Sequence, residues 1–301
     1  MIFWSVAMLL ATLCWAGAFI AAKVGVRSAS PLALTYYRFL IAAVCVYGWA
    51  RFKGIPLRIR PRDWWVMGQL GFVGMVCYHL LFFEAVRRTT AIKASMIMAT
   101  NPLMVAILAV FLLGERMTWA KLACFLTALL GVLLTISHWD LLALVRGRVA
   151  PGDLIMLVAV LCWALYGVLV RHHVGRFDPV VTTFYSFVTC VIMLTPFEAV
   201  EVASGASRIS AGGWLAIAYM GVFPTFFGYM VHQQCIKHLG LSRSALFINL
   251  VPVFAMAMAV LLLHEAFFAL NAVSAAIIIA AVTGYSLLRP GPLKRLGPKA
   301  A

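Results

Sequence analysis

The sequence predicts an all-α polytopic membrane protein with ten transmembrane helices, arranged as two five-helix repeats of inverted topology. Two observations carry this prediction: the chain is strongly apolar, and its second half repeats the pattern of its first. Of 301 residues, 64% are hydrophobic and only 11% are charged, and the mean hydropathy is +1.02. Such values lie outside the usual composition of soluble domains. No sustained alternation of apolar and polar residues, which marks barrel strands, interrupts the apolar stretches.

Ten apolar stretches, separated by short charged segments, have the length that a transmembrane helix needs. About 17 to 25 helical residues cross the ~30 Å hydrocarbon layer. The predicted spans cover residues 2–22, 31–50, 64–84, 93–114, 119–137, 153–170, 179–197, 212–236, 243–263 and 268–288. The first span lacks a preceding basic segment, so we interpret it as part of the fold and not as a cleaved signal peptide. The loops are too short to contain a soluble catalytic or nucleotide-binding domain.

The second half of the chain repeats the first in a nearly constant register. The tetrapeptide Leu-Cys-Trp-Ala occurs twice at an offset of 148, so that Trp15 matches Trp163. Other matches at offsets of 148 and 150 include Lys23 with Arg171, Pro31 with Pro179, Gly71 with Gly221, Lys93 with Arg243, Pro102 with Pro252 and Glu115 with Glu265. We therefore predict one five-helix repeat over residues 1–150 and a second over 151–301. Because five is odd, the second repeat enters the membrane from the opposite side.

The distribution of charge agrees with this inversion. The loop after the second span, RFKGIPLRIRPRD, carries five Lys or Arg, whereas its counterpart, FEAVEVASGASRIS, carries one Arg and two Glu. Fifteen cations fall in loops assigned to the cytoplasm and eight in outside loops, with Arg38 inside the second span. The positive-inside rule then predicts that both termini are cytoplasmic. It also accounts for the net charge of +15 without nucleic-acid binding, because the cations lie between apolar spans.

Inverted repeats are typical of secondary transporters, in which two similar halves give two conformations around a central site. The sequence contains no phosphate-binding loop of the G-x-x-x-x-G-K-[ST] type, so transport is expected to be secondary or facilitative. The seven cysteines lie in apolar stretches without a C-x-x-C pair, which predicts neither disulfides nor a metal site. No cofactor is expected. A membrane-embedded enzyme would need a cluster of His, Asp or Glu near one interface, and the adjacent pair His172 and His173 does not supply one. We therefore expect no enzymatic activity.

The sequence resembles the EamA branch of the drug/metabolite transporter superfamily. The resemblance rests on CWAGAF in the first span, PLALTYYRFLIAA in the second, and NPLMVAILAVFLLGERMTWAKLACFLTALLGVLL across the fourth and fifth, with VPVFAMAMAVLLLHEAFFALNAVSAAIIIAAVTG in the second repeat. Within that branch it is most similar to YddG-type exporters of aromatic and other amino acids. The resemblance implies a central cavity built mainly from spans one, three, four, six, eight and nine, and export of small metabolites across the inner membrane. The second repeat departs from the pattern where His264 replaces Gly114.

Trp15 and Trp163 fall near the middle of their spans and not in the interfacial belt, where transmembrane Trp usually lies. In the eighth span, Tyr229, His232 and Gln233 fall on one helix face, and this polar stripe is expected to line the cavity and avoid lipid. Hydrogen bonding between helices is the alternative role for the stripe. The predicted substrate-binding residues are Trp15, Phe19, Tyr78, His79, Phe82, Ser95, Met96, Ala99, Trp163, Tyr166, Tyr229, Gln233, Phe247 and Asn249. Prolines 102, 224 and 252 are the predicted hinges, because a proline frees a backbone carbonyl and bends its helix.

No carboxylate falls near the midplane of a span, so His79 and His232 are the candidates for proton coupling. Packing through hydrogen bonds is the alternative role for both, and an uncoupled facilitator is the alternative mechanism. A zwitterionic substrate would place its ammonium over an aromatic face and its carboxylate near His79, Gln233 or a freed backbone amide. We rank Asn249 above Asn101, which precedes a proline and is expected to satisfy the local backbone.

Other cations and carboxylates are expected to have structural roles. Lys93 and Arg243 are expected to snorkel to the interface, with attraction of anions as the alternative role. Glu115 and Glu265 are expected to cap helices or pair with cations. The sequence favours an exporter of amino acids or similar small metabolites. A multidrug or organic-cation exporter is the main rival, and a sugar-nucleotide exchanger is a further one. The expected partners are a small-molecule substrate and the lipid bilayer, and a monomer is compatible with the sequence.

Overall fold

The computed structural model describes residues 2–114, 117–137, 139–140, 149–173, 176–205, 207–239 and 241–288. These residues form ten helical spans that are long and apolar enough to cross a membrane, and the predicted fold class is confirmed. Spans one to ten are Ile2–Gly25, Pro31–Phe52, Pro61–Arg88, Ala91–Leu112, Trp119–Ile136, Pro151–His172, Pro179–Ala203, Ala211–Ile236, Leu246–Leu263 and Ala269–Leu287. The predicted roles of Glu115 and of the Arg243 side chain lie outside the described part of the chain.

Short polar residues fix where several spans begin. The side chains of Ser30, Thr90, Thr118, Asp178 and Ser210 each accept a hydrogen bond from a backbone N–H in the first turn of the helix that follows. Such caps satisfy donors that have no partner within the helix. Pro31 and Pro179 follow two of these caps, where the missing N–H of proline is not needed. The starts of these helices are therefore encoded locally.

Spans three and eight both contain a π-helical segment at the same repeat position. In span three the segment is Gly71–Cys77, and in span eight it is Gly221–Phe227, an offset of 150. Each begins with a glycine that packs against a backbone carbonyl of the other repeat. A Cβ atom on Gly71 would lie 2.9 Å from Ser186 O, and one on Gly221 would lie 3.1 Å from Arg38 O. Because π-helical segments often occur at functional sites, this shared irregularity directs attention to the region between the repeats.

Two further irregularities are also related by the repeat. Span four is interrupted between helices Ala91–Met98 and Asn101–Leu113. At the same offset, helices Leu241–Ile248 and Val251–Leu263 are separated by two residues. Pro102 and Pro252 lie in the first turn after each interruption, where proline is tolerated.

The helices Asn101–Leu113 and Val251–Leu263 also end alike. Gly114 and His264 both have left-handed backbone conformations, with φ of 66° and 54°. The departure from the repeat pattern at His264 therefore leaves the helix end unchanged. The adjacent Glu265 accepts hydrogen bonds from Ala91 N at 2.8 Å and Ile92 N at 3.1 Å, so its predicted capping of a neighbouring helix is confirmed.

The packing of the spans has the symmetry of an inverted repeat. Span one packs against spans eight and nine, and its counterpart, span six, packs against spans three and four. Span two packs against seven, and five against ten. Large apolar side chains such as Phe111, Leu261 and Trp119 remain more than two-thirds exposed, as expected for a surface facing lipid.

The expectation that Lys93 snorkels to the interface is wrong. Its side chain is only 9% exposed, and its Nζ lies 3.0 Å from Asp153 Oδ2 at the start of span six. Thr89 donates a hydrogen bond to the other carboxylate oxygen of Asp153, and Lys23 donates to Val86 O at 2.8 Å. The lysine stays inside because a fully buried carboxylate is within reach, and unpaired charges at that depth would be far less favourable. A polar network therefore joins spans one, three, four and six at one end of the molecule.

Candidate transport cavity

A cavity of about 340 Å³ lies between the two repeats and is lined by residues of every span except five and seven. This volume is within the range of small-molecule sites. Ten of the fourteen predicted binding residues line it, namely Trp15, Phe19, Tyr78, His79, Phe82, Ser95, Ala99, Trp163, Tyr229 and Asn249. His232, Pro102 and Pro252 also lie on its wall. The wall therefore combines aromatic side chains with a few polar groups.

The other four predicted binding residues lie elsewhere. Met96 is 1% exposed and belongs to the main apolar core. Tyr166 stacks on Trp163 with ring centroids 4.9 Å apart and packs against Gly74. Gln233 is engaged by span seven, because its Nε2 donates to Thr183 Oγ1 at 3.1 Å.

Phe247 packs in a small cluster with residues of spans one and eight. Helix periodicity placed these four residues near the centre of the molecule. It could not tell which neighbouring span would take up each side chain.

Trp163 lies at the centre of an aromatic group on one side of the cavity. Its ring centroid is 4.7 Å from that of Tyr78 and 6.4 Å from that of Tyr229. The Tyr78 ring also contacts His79 at 4.5 Å. His79 Nδ1 lies 3.2 Å from Gly74 O, and since a carbonyl can only accept, Nδ1 donates in this contact. Gly74, which lies inside the π-helical segment, thus orients the imidazole within the aromatic group.

Trp15 occupies the symmetry-related position but has a different contact. Its Nε1 donates to Pro224 O at 2.9 Å, and its ring packs edge-on against His232 at 5.5 Å. The residue that matches Tyr78 in the second repeat is Gly228, and a Cβ atom there would lie 2.7 Å from Trp15 Nε1. The glycine therefore gives Trp15 the space to reach a backbone carbonyl. The two tryptophans are related by the repeat, but they make the two sides of the cavity chemically different.

We expect Gly228→Ala to displace Trp15, because the new methyl group would overlap its indole nitrogen. Loss of the indole hydrogen bond should lower stability by about 1 kcal/mol. The measurement is thermal unfolding of the purified protein, followed together with tryptophan emission. Gly48→Ala in span two is the matched control, since a methyl group added there would have no atom within 4 Å. Equal unfolding temperatures for the two variants would contradict this assignment.

Arg38 is a cavity residue that the sequence analysis did not select. It is the eighth residue of the 22-residue span two, is 6% exposed and contributes to the wall. Its Nε donates to Thr225 Oγ1 at 2.7 Å, and that hydroxyl donates to Met220 O at 2.6 Å. Met220 O is the carbonyl that Pro224 leaves without its usual helical partner. The signal was present in the sequence, because an ionisable residue inside a span is by default a functional candidate.

The two asparagines on the wall differ in their contacts. Asn249 Nδ2 donates to Thr283 Oγ1 at 3.2 Å, whereas Asn101 Oδ1 is buried without a hydrogen-bond partner. Asn101 Oδ1 is thus an unpaired acceptor that is buried at the interruption of span four. Among the described residues that line the cavity, no Asp or Glu is present, and the ionisable groups on the wall are Arg38, His79, His232 and two tyrosines.

Comparison with known proteins agrees with this architecture. The model of the EamA-like transporter family matches residues 2–137 and again residues 150–287. The chain belongs to this family. The two matches correspond to the two repeats, so this EamA-like protein is a multi-pass membrane protein with a duplicated five-helix unit.

Several relatives of this EamA-like protein are named as transporters. The uncharacterized transporter YyaM of Bacillus subtilis is 37% identical over 190 residues, a match that covers 62% of each chain. An uncharacterized transporter of Archaeoglobus fulgidus is 28% identical, with 85% and 88% coverage. A probable terminal-alkyne amino-acid exporter of Streptantibioticus cattleyicolor is 27% identical, with 86% and 85% coverage. A crystal structure with 21% identity superposes with a TM-score of 0.65 over 95% of this chain and 99% of the other, which shows a shared fold.

Proposed function

We propose that this EamA-like protein exports amino acids, aromatic and other neutral ones, or similar small metabolites across the inner membrane by alternating access. The observation that carries the proposal is the cavity, which both repeats build from matched positions. Trp15 and Trp163 lie on its wall. The π-helical segments and the interruptions of spans four and nine flank it in both halves. An exporter of this kind requires two conformations of similar energy, and inverted halves provide them.

The chemistry of the wall supports an amino-acid cargo. Aromatic rings such as Trp163 and Tyr78 suit apolar or aromatic side chains, and their faces attract an ammonium group. One relative is itself named as a probable amino-acid exporter. A transporter of organic cations would be expected to contain an anionic anchor, and the described wall contains no carboxylate. A sugar nucleotide, with two phosphates, would need more cations than the one arginine among the described lining residues.

Movement between the two conformations requires bending points, and we propose Pro102, Pro224 and Pro252 for this role. Two of them follow the interruptions of spans four and nine, and the third lies inside the π-helical segment of span eight. His79 and His232 remain the candidates for coupling to protons, because they are the imidazoles on the described wall. We further propose that both termini are cytoplasmic, that the repeats meet near residue 150 and that the protein acts without enzymatic activity.

The test is uptake by purified protein in liposomes. Labelled Phe, Trp and Thr are compared with a sugar nucleotide and a lipophilic cation, with and without a pH gradient. We expect saturable uptake of the amino acids and none of the other two compounds. Uptake of the cation alone would instead support a multidrug exporter, and absence of amino-acid uptake would refute the proposal. An uptake rate that does not depend on the pH gradient would exclude proton coupling through His79 and His232 and would indicate facilitated transport.

A further inference from the structure

We propose that the Arg38 guanidinium is the site that binds the carboxylate of the cargo. The inference rests on the proposed function, because it takes the cavity to be the transport site. A cation inside the membrane is unfavourable unless it is paired or hydrated. Arg38 is 6% exposed, and no Asp or Glu of the described residues forms an ion pair with it. The charge is therefore held in the interior without an opposite charge from the described part of the protein.

The contacts of Arg38 fix its orientation but leave much of it unused. An arginine has five N–H donors, of which one is on Nε. That one donates to Thr225 Oγ1, and the guanidinium carbon lies 5.7 Å from the ring centre of the adjacent Phe39. The side chain makes no other hydrogen bond to the described residues. Neither Nη atom belongs to the buried polar atoms that lack a partner, so both remain accessible. The Nη donors are therefore available to a molecule in the cavity that Arg38 lines.

The repeat shows that the fold itself does not require a cation at this position. Arg38 corresponds to Ser186 in the second half, within the matched segments TYYRF and TFYSF. Both residues play the same backbone role, because their carbonyls face Gly221 and Gly71 respectively. Span seven packs on span three with Ser186 at the matching position. The positive charge of Arg38 is therefore not required for the packing of these helices. The asymmetry between the halves indicates a role in recognition.

The chemistry of the position favours a carboxylate over other anions. A guanidinium binds a carboxylate through two parallel hydrogen bonds, which suits its free Nη donors. One arginine supplies one positive charge, which a carboxylate balances and a phosphate dianion exceeds. The rest of the wall consists mainly of aromatic and aliphatic side chains, and the aromatic faces can receive the ammonium of a zwitterion. Gln233, which the sequence suggested for the carboxylate, is already engaged by Thr183.

The experiment compares ligands that differ in one charged group. L-phenylalanine and 3-phenylpropionate keep the carboxylate, whereas phenethylamine and L-phenylalanine amide lack it. Binding is measured as the shift in thermal unfolding of the purified protein, and transport as inhibition of labelled L-phenylalanine uptake into liposomes. We expect the two carboxylates to bind and compete, and the two compounds without a carboxylate to bind at least about tenfold more weakly. This comparison uses the unaltered protein, so it holds whatever a substitution does to folding.

Variants of Arg38 complete the test. Arg38→Gln should weaken carboxylate binding by about tenfold or more, the loss expected for a charge-assisted pair. Arg38→Lys keeps the charge but loses the planar fork, so its affinity for carboxylates should lie between those of Arg38→Gln and the unaltered protein. Arg58→Gln, which removes an exposed loop cation, is the control and should leave binding unchanged.

The failures of the two proposals are distinguishable. If 3-phenylpropionate binds and Arg38→Gln abolishes that binding, but no amino acid is transported, the proposed function is wrong and the anion site stands. If amino acids are transported while Arg38→Gln binds carboxylates as well as the unaltered protein, the anion site is wrong and the proposed function stands. Equal binding of phenethylamine and 3-phenylpropionate to the unaltered protein would also overturn the anion site.

Discussion

Trp163→Ala is expected to lower amino-acid uptake by about tenfold, whereas Trp64→Ala should leave it within about twofold of the unaltered protein. Trp163 lines the cavity and contacts Tyr78 at 4.7 Å and Tyr166 at 4.9 Å. Truncation removes an aromatic face from the cargo and releases both neighbouring rings. An aromatic contact contributes up to about 1.5 kcal/mol, and a loss of ~1.4 kcal/mol corresponds to a tenfold change. The measurement is the initial rate of labelled L-phenylalanine uptake into liposomes at a subsaturating concentration.

Trp64 is a suitable control because it has similar chemistry and a different position. It is 42% exposed, lies at the start of span three and contacts Tyr185 edge-on at 5.2 Å. Trp163→Phe should retain more uptake than the alanine variant, since a smaller ring can still stack on Tyr78. Both alanine variants should elute as single species in detergent. Equal rates for the two alanine variants would place the cargo away from the described cavity.

The spans and their arrangement could be predicted from the sequence because membrane helices are determined by local properties. An apolar stretch of sufficient length must form a helix in lipid, since each backbone polar group needs an internal partner. The nearly constant offset of 148 to 150 residues between matched positions then related the two halves of the chain. Through that relation Trp15 and Trp163 were assigned to one site, and both lie on the same cavity. These inferences required only hydrophobicity, length and internal repetition.

Contacts between spans could not be predicted in the same way. Lys93 was expected at the interface, but its partner Asp153 lies 60 residues later in the chain. Nothing in the local sequence around either residue indicates the pair. The π-helical segments were also missed, although Gly71 and Gly221 had been matched, because a glycine in a span has several structural uses. Arg38 was visible as a cation in an apolar span, but its use depends on Thr225, which is 187 residues away.

A second prediction concerns stability and follows from the buried pair of Lys93 and Asp153. Asp153→Asn should lower the free energy of unfolding by about 3–5 kcal/mol, because it leaves an ammonium buried without its counter-charge. The exposed fractions of the two side chains are 9% and 0%, and their charged atoms are 3.0 Å apart. The Asn side chain keeps an oxygen that can accept the hydrogen bond from Thr89, so the substitution removes the negative charge and retains this hydrogen bond. The measurement is equilibrium or thermal unfolding of purified protein in one detergent.

Glu84→Gln is the matched control for this prediction. Glu84 pairs with Arg87 at 3.7 Å and with Arg88, but those arginines are 58% and 52% exposed. Pairs so accessible to solvent contribute only about 0–1 kcal/mol. The double variant Lys93→Met with Asp153→Asn provides the decisive comparison, since it removes the ammonium together with the carboxylate. We expect it to be more stable than Asp153→Asn alone, because the loss arises from an unpaired charge and not from a missing contact. If the double variant unfolds no later than the single one, the lysine is not the source of the destabilisation, and the network joining spans one, three, four and six depends on Asp153 through its hydrogen bonds instead.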